Sequence, residues 1–280
     1  MSLFCFEMYK TFSRWRTYIS FGAIALVVVL IEVVLKLRPE QILYRAIRSF
    51  QPGFLISGNI LNGWFVTSLI MNSLHVHIPF LITLVAGDIV SSEATSGTVR
   101  LLLIRPPSRA RVITAKYLTA LLYSAGVVFF LGLVCVLLGL SLFGRGDLIA
   151  YPQGGFGIVI IPENEVFVRM LLAFSAAVWS MTVVASLAFL FSTLAENSIG
   201  PIIGTMAVVI IFFVLGNFPF DFFQDLQPFL FTTYMNFWRR FFDDPISWGE
   251  ITRSAVILGL HNIGLFLAAL VVYRRKDIKS

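Results

Sequence analysis

The side chains able to do chemistry are few and poorly grouped. His75, His77 and His261 are the imidazoles, and Cys5 and Cys135 the thiols. Two apart on a helix, His75 and His77 point to different faces and make a poor joint ligand set, so hydrogen-bonded packing is the better reading than a metal path. Cys5 falls in a mixed N-terminal segment and Cys135 inside an apolar run, so neither a disulfide nor a cysteine-based metal site is expected. None of the five lysines (Lys10, Lys36, Lys116, Lys276, Lys279) directly follows a glycine, which removes the Gly-Lys end of a phosphate-binding loop. No HExxH sequence or convincing nucleophile–base pairing is present. The expectation is a chain that is not an enzyme, with no catalytic residue, no metal and no cofactor of its own. The dense ionisable group lies elsewhere, between Asp88 and Lys116, and holds Glu93, Arg100, Arg105, Arg109 and Arg111. Within it stand Gly97-Thr98, an apolar ridge Leu101-Leu102-Leu103, Pro106-Pro107 and Ser108-Arg109. That order suits docking to another protein better than it suits a plain hydrophilic connector.

The elements that must position this island are membrane spans. Hydrophobic residues make up 58% of 280 positions, charged residues 13%, and the mean hydropathy is +0.88. No soluble domain of this length needs so much apolar surface. Residues 64–87 before the island and 117–143 after it hold no Lys, Arg, Asp or Glu. The surplus of 21 Lys and Arg over 15 acids could suggest nucleic acid in a soluble protein. Here its placement points to lipid headgroups and chain orientation, with no nucleic-acid partner. Six spans are expected, at residues 18–35, 64–86, 112–142, 167–191, 199–215 and 251–273. Placing both termini, the 88–116 loop and the 192–198 turn inside puts 12 of the Lys and Arg on the cytoplasmic side against nine outside. That bias makes both termini cytoplasmic.

Several finer features follow from composition. Residues 2–17 mix Leu3, Phe4, Phe6, Met8, Phe12 and Trp15 with charges, as an amphipathic interfacial helix would. Ile42, Leu43, Ala46, Ile47 and Phe50 suggest a short helix on the outer surface, and Pro79 predicts a kink in the second span. Gly126, Gly132 and Gly139 would permit close helix contact along the third. The stretch 156–161, bounded by glycines and prolines, reads as a hairpin or as extended chain. Residues 216–250 are crowded with aromatics and divided by Pro219, Pro228 and Pro245. They suit a re-entrant or interfacial helical hairpin at the outer face. The ionisable groups that a secondary transporter would place near the midplane reduce to the three histidines and, less centrally, Glu32.

The pattern Asp88-x4-Glu93-x3-Gly97-Thr98-Val99-Arg100-x-Leu102-Leu103, followed by Pro106-Pro107-Ser108-Arg109 and Lys116, resembles the permease subunits of type 2 ABC transporters. The resemblance covers nearly the whole chain, down to the ending Tyr273-Arg274-Arg275-Lys276-Asp277-Ile278. It implies an all-α polytopic protein of the cell (inner) membrane: six transmembrane helices, an amphipathic N-terminal helix, a cytoplasmic coupling helix between spans 2 and 3 within residues 88–111, and the re-entrant hairpin before span 6. It also implies partners: two copies of a separate ATPase that holds ATP and Mg2+, a second permease copy forming a homodimer, and the surrounding bilayer. By the same resemblance Glu93, Gly97, Thr98, Arg100, Leu102, Leu103, Arg105 and Arg109 contact the ATPase. Glu196 and Asn197 form a smaller second inner contact, while Phe222, Phe223, Phe229 and Trp238 belong to an outer gate. The physical roles are consistent with this. Ser91 or Ser92 could cap the coupling helix, and Glu93 would favour its positive N-terminal end. The leucines would anchor it, Arg100 and Arg105 would meet partner acids, and the proline pair would stiffen its exit. The function implied is export of a substrate, with amphipathic or hydrophobic cargo favoured by the apolar outer region. The alternative is a membrane scaffold that transmits ATP-driven motion to a periplasmic partner and carries no cargo.

Overall fold

The structure is a computed structural model that describes residues 2–39, 61–95, 108–153, 158–217 and 225–275. Helix α1 (Leu3–Phe12) leads through Ser13 and Arg14 into α2 (Trp15–Leu37). Helices α3 (Gly63–Leu74) and α4 (Ile78–Ala86) form a broken pair, and α5 (Asp88–Thr95) follows directly on Gly87. The long α6 (Arg109–Phe143) comes next, then a short antiparallel pair, β1 (Leu148–Ala150) with β2 (Val159–Ile161). Helices α7 (Glu163–Leu194) and α8 (Ile199–Asn217) precede three short turns of helix: the 3-10 turn Gln227–Phe229, α9 (Phe231–Tyr234) and a second 3-10 stretch Met235–Phe242. Helix α10 (Trp248–Arg275) closes the order.

Five helices (α2, α6, α7, α8 and α10) are long and apolar enough to cross a membrane, and the bent pair beginning with α3 brings the number to six when it is counted as one span. The chain is thus an all-α multi-pass membrane protein. Each long helix extends a few residues beyond the apolar core of its span, because the hydropathic limits stop where polar caps begin. The break in the second span falls at His75–His77, and its two arms are bent by 57°. Pro79 explains the place: it lacks an N–H to return to the carbonyl of His75, four residues back, and its ring crowds that carbonyl. The 156–161 stretch resolves as hairpin in its described part, with Ile161 opposite Leu148. The predicted outer helix around 42–50 lies outside the described residues.

Helix α7 is the centre of the bundle. It packs against α4, α5, α6, α8, α10 and the Met235–Phe242 stretch. The sequence permits this because its buried positions include the small residues Ala173, Ala176, Ala177, Ser180, Ala185, Ser186 and Ala188. Small side chains let backbones approach where no hydrophobic force between helices exists. A tighter approach joins α3 and α6. A Cβ on Gly63 would lie 2.5 Å from the carbonyl carbon of Gly139, and one on Gly139 would lie 2.9 Å from the Gly63 oxygen. A Cβ on Gly132 would likewise lie 2.9 Å from the Phe174 ring, whereas one on Gly126 would meet nothing within 4 Å. The expectation of close contact at Gly126 is therefore corrected. Its helix face is not pressed by a neighbour.

The aromatic region before α10 turns inward. Phe231, Met235, Phe237, Trp238, Phe241 and Phe242 are buried, and the Met235–Phe242 stretch lies on α7. Orientation follows a simple physical test, because α6 alone separates Arg109 from Phe143. We expect single cysteines at Asn197 and at Arg145 to react with membrane-impermeant maleimide from opposite sides of the membrane. Labelling of both from one side would remove the six-span topology.

Candidate functional site

The site is built where the charged island enters the bundle, on α1, α2, α5 and α6. Helix α1 is amphipathic, and Glu7, Lys10 and Thr11 share a face through their three- and four-residue spacing. Glu7 and Thr11 are its buried positions, and the helix lies against α6. Lys116 stands seven residues into α6, fully buried, at the end of the uncharged run. Its Nζ donates to Glu93 Oε1 at 2.5 Å and to Glu7 Oε2 at 2.8 Å. Lys10 donates to Glu93 as well. One turn away, Arg14 Nη1 donates to Asp88 Oδ2 at 2.8 Å and to Ser92 Oγ at 2.9 Å, and Arg16 reaches Asp88 Oδ1 at 3.3 Å. Asp88 and Glu93 are buried with Glu7, while the arginines form an exposed rim.

Such a network holds only if the charges are matched, because each buried ion loses several kcal/mol of hydration. Burial opposes ionisation of Glu93, but the Lys116 and Lys10 ammoniums outweigh it and hold its carboxyl below the usual range. Lys116 is the bridge between two acids from different helices. Without it α1 would face α6 with the Glu7 carboxylate unpaired, and Glu93 would keep Lys10 but lose its link to α6.

A second joint fixes α5 to the central helix. Ser192 Oγ, in the last turn of α7, accepts the backbone N–H groups of Val90 and Ser91 at 3.1 and 3.0 Å. Those donors belong to the first turn of α5. Ser192 therefore caps α5 from another helix. The two inner regions singled out in the sequence, around Glu93 and from Ser192 onward, meet here.

Glu93 sits in the last turns of α5, not at its N-terminal end, and its carboxylate is committed inside the chain. The helix starts at Asp88, so neither Ser91 nor Ser92 caps it: Ser91 Oγ donates back to the Gly87 carbonyl at 2.8 Å, and Ser92 receives Arg14. Arg109 Nη1 donates to the Arg274 carbonyl at 3.1 Å, which ties the start of α6 to the end of α10. Glu196 and Asn197 are exposed, and Asn197 Oδ1 accepts the Gly200 N–H at 2.8 Å at the start of α8. Gly97, Thr98, Arg100, Leu102, Leu103 and Arg105 lie outside the described residues, as do Phe222 and Phe223. Of the remaining gate residues, Phe229 is exposed, whereas Trp238 is buried against His75 (5.8 Å between ring centroids) and Phe242. The structure does not bring those two together in one environment.

The histidines do not converge. His75 packs on Trp238, His77 Nδ1 bonds to the Ser73 carbonyl and His261 Nδ1 to the Ile257 carbonyl. Sequence reasoning passed over Glu7, Lys10 and Arg14 as partners of the island, because they were assigned to the headgroup layer. The available signal was Lys116 itself: a lysine at the edge of an otherwise uncharged run needs acids if its helix is packed on all sides.

The fold and site together define a polytopic helical membrane protein with a charged junction at one end of the bundle. The chain belongs to the family described as "Protein of unknown function (DUF2705)", which matches residues 15–279. It is also similar to the uncharacterized protein YhcI of Bacillus subtilis (strain 168), with 28% identity over 212 residues. That match takes in 70% of this chain and 63% of the relative, so the chain spans less than two thirds of that relative's length.

Proposed function

We propose that this chain is the permease subunit of an ATP-driven exporter of the type 2 ABC class, with hydrolysis carried out by a separate ATPase held through the island. The observation that supports this reading is the mounting of α5. A docking segment transmits motion only if its base is rigid, and α5 is tied by ion pairs to α1, α2 and α6 and by the Ser192 cap to α7. A loop serving only as a solvated connector has no need of four such ties. On this reading Glu93 is a positioning residue that holds the base, while Leu102, Leu103, Arg100 and Arg105 supply the contact beyond it. ATP and Mg2+ belong to the partner, two copies of which would serve a permease dimer in the cell membrane.

The test separates base from contact. Removing an apolar anchor from the centre of an interface costs about 2 kcal/mol, or roughly 30-fold in affinity. Leu102→Ala should therefore reduce copurification of an ATPase subunit by about that factor and leave the thermal stability of the chain unchanged. The chain purified free of its partner should show no ATP hydrolysis above background. Copurification of the ATPase with Leu102→Ala at the wild-type level, or hydrolysis by the isolated chain, would remove the assignment.

A further inference from the structure

Glu32 has no role in the network at the island end or in any docking surface, yet its chemistry is out of place. It lies on the buried stripe of α2 with Ser20, Ile24, Val28 and Leu35, inside an apolar span. Its residue surface is 0% exposed, and neither Oε1 nor Oε2 has a hydrogen-bond partner. Lys36, one turn on and correctly spaced to neutralise it, turns away: its Nζ donates to the Leu142 carbonyl at 2.5 Å and sits over the Phe143 ring.

An ionised carboxylate in that position would lose its hydration and gain nothing, so the group must bind something that removes its charge. We propose that Glu32 is a proton-binding site of the protein, neutral while the seam between α2 and α6 is closed. A metal cation does not fit. Hard cations need several oxygen ligands, and among the described residues no cluster of three or more His, Cys, Asp or Glu side chains is present to supply them. Helices α3 and α4 carry no Asp, Glu, Lys or Arg, and α6 faces Glu32 with the Cys135 thiol, which lies within its electrostatic reach. Lys36 on α2 itself is the nearest cation by spacing and is engaged elsewhere. A proton alone needs no coordination shell. Its release requires water or a cation to reach the seam, so the occupancy of this one site is linked to whether α2 and α6 stand together or apart. The inference does not depend on the ATPase partner.

Dicyclohexylcarbodiimide reports a neutral carboxyl in an apolar setting. The acid O–H adds across one C=N bond of the reagent, the proton going to nitrogen, and the O-acylisourea rearranges to a stable N-acylurea. Full-length protein in its native membrane, treated at pH 6 and digested for mass spectrometry, should carry this adduct on Glu32. Labelling should persist in Cys135→Ala and vanish in Glu32→Gln. Because Gln matches the neutral acid in shape and charge, Glu32→Gln should keep the wild-type melting temperature, whereas Glu32→Lys should lower it. Two results would overturn the proposal: an unmodified Glu32 at pH 6, or a Glu32→Gln protein whose melting temperature falls as far as that of Glu32→Lys. The second would mean that the carboxylate is charged and paired.

Discussion

Lys116→Met should destabilise the protein by about 3–5 kcal/mol, the cost of leaving buried charges without their partner. The ammonium is fully buried and serves two acids, Glu7 and Glu93, at 2.8 and 2.5 Å. Lys10 stays with Glu93 after the change, but Glu7 would then have no cation, and its Oε1 is unpartnered even now. The fluorescence-detected melting temperature of the detergent-solubilised chain should fall well below wild type. The triple variant Glu7→Gln, Glu93→Gln, Lys116→Met should recover much of the loss, because it removes the charges together. A Lys116→Met protein as stable as wild type would mean that this network is wet and exchangeable, not a structural joint.

Gly139→Val is expected to be comparably damaging for a purely steric reason. Overpacking costs typically about 1–3 kcal/mol when side chains can shift, and more when they cannot. Here the obstacle is backbone: a Cβ on Gly139 lies 2.9 Å from the Gly63 carbonyl oxygen and 3.1 Å from Thr67 Oγ1. The nearest atom is backbone and cannot turn aside, so α3 and α6 must separate. Separation would also strain the Gly63 N–H bond to the Gly144 carbonyl (2.9 Å) and the Thr67 bond to the Cys135 carbonyl (3.2 Å). Gly126→Val on the same helix provides the control, since its Cβ would enter open space. We expect a loss of about 3 kcal/mol for the first and no comparable loss for the second, measured as shifts in melting temperature. Equal behaviour of the two would show that the helix crossing is not as close as the structure places it.

The spans were legible because long uncharged runs can only be buried in lipid or protein, and no partner information is needed to see them. Pro79 gave the kink for the same reason: its effect is local to one turn. The internal commitment of Glu93 was not legible. Its partners lie 83 and 23 positions away in sequence, at Lys10 and Lys116, and an acid in a basic loop looks the same whether it faces solvent or a buried lysine. The Ser192 cap was hidden for a related reason, since a serine at a helix end is ordinarily assigned to its own helix. Gly126 and Gly139 are identical by composition and spacing. Only the path of α3 distinguishes them.

The length of α6 has a consequence for where these charges sit in the bilayer. Its 35 residues rise about 52 Å, against roughly 30 Å of hydrocarbon. The 27 residues from Tyr117 to Phe143 still rise about 40 Å, enough to cross without bringing Lys116 into the acyl chains. The ion network can therefore stand at headgroup depth, with Arg16 at its rim 63% exposed and Lys116 wholly shielded. Salt and anionic lipids then act unequally on it. Mobile ions screen the outer arginines within a Debye length of about 10 Å at 0.1 M, while the Glu7–Lys116–Glu93 centre is reached only through the protein. The junction is a graded one, soft where lipid headgroups touch it and insulated where the helices meet.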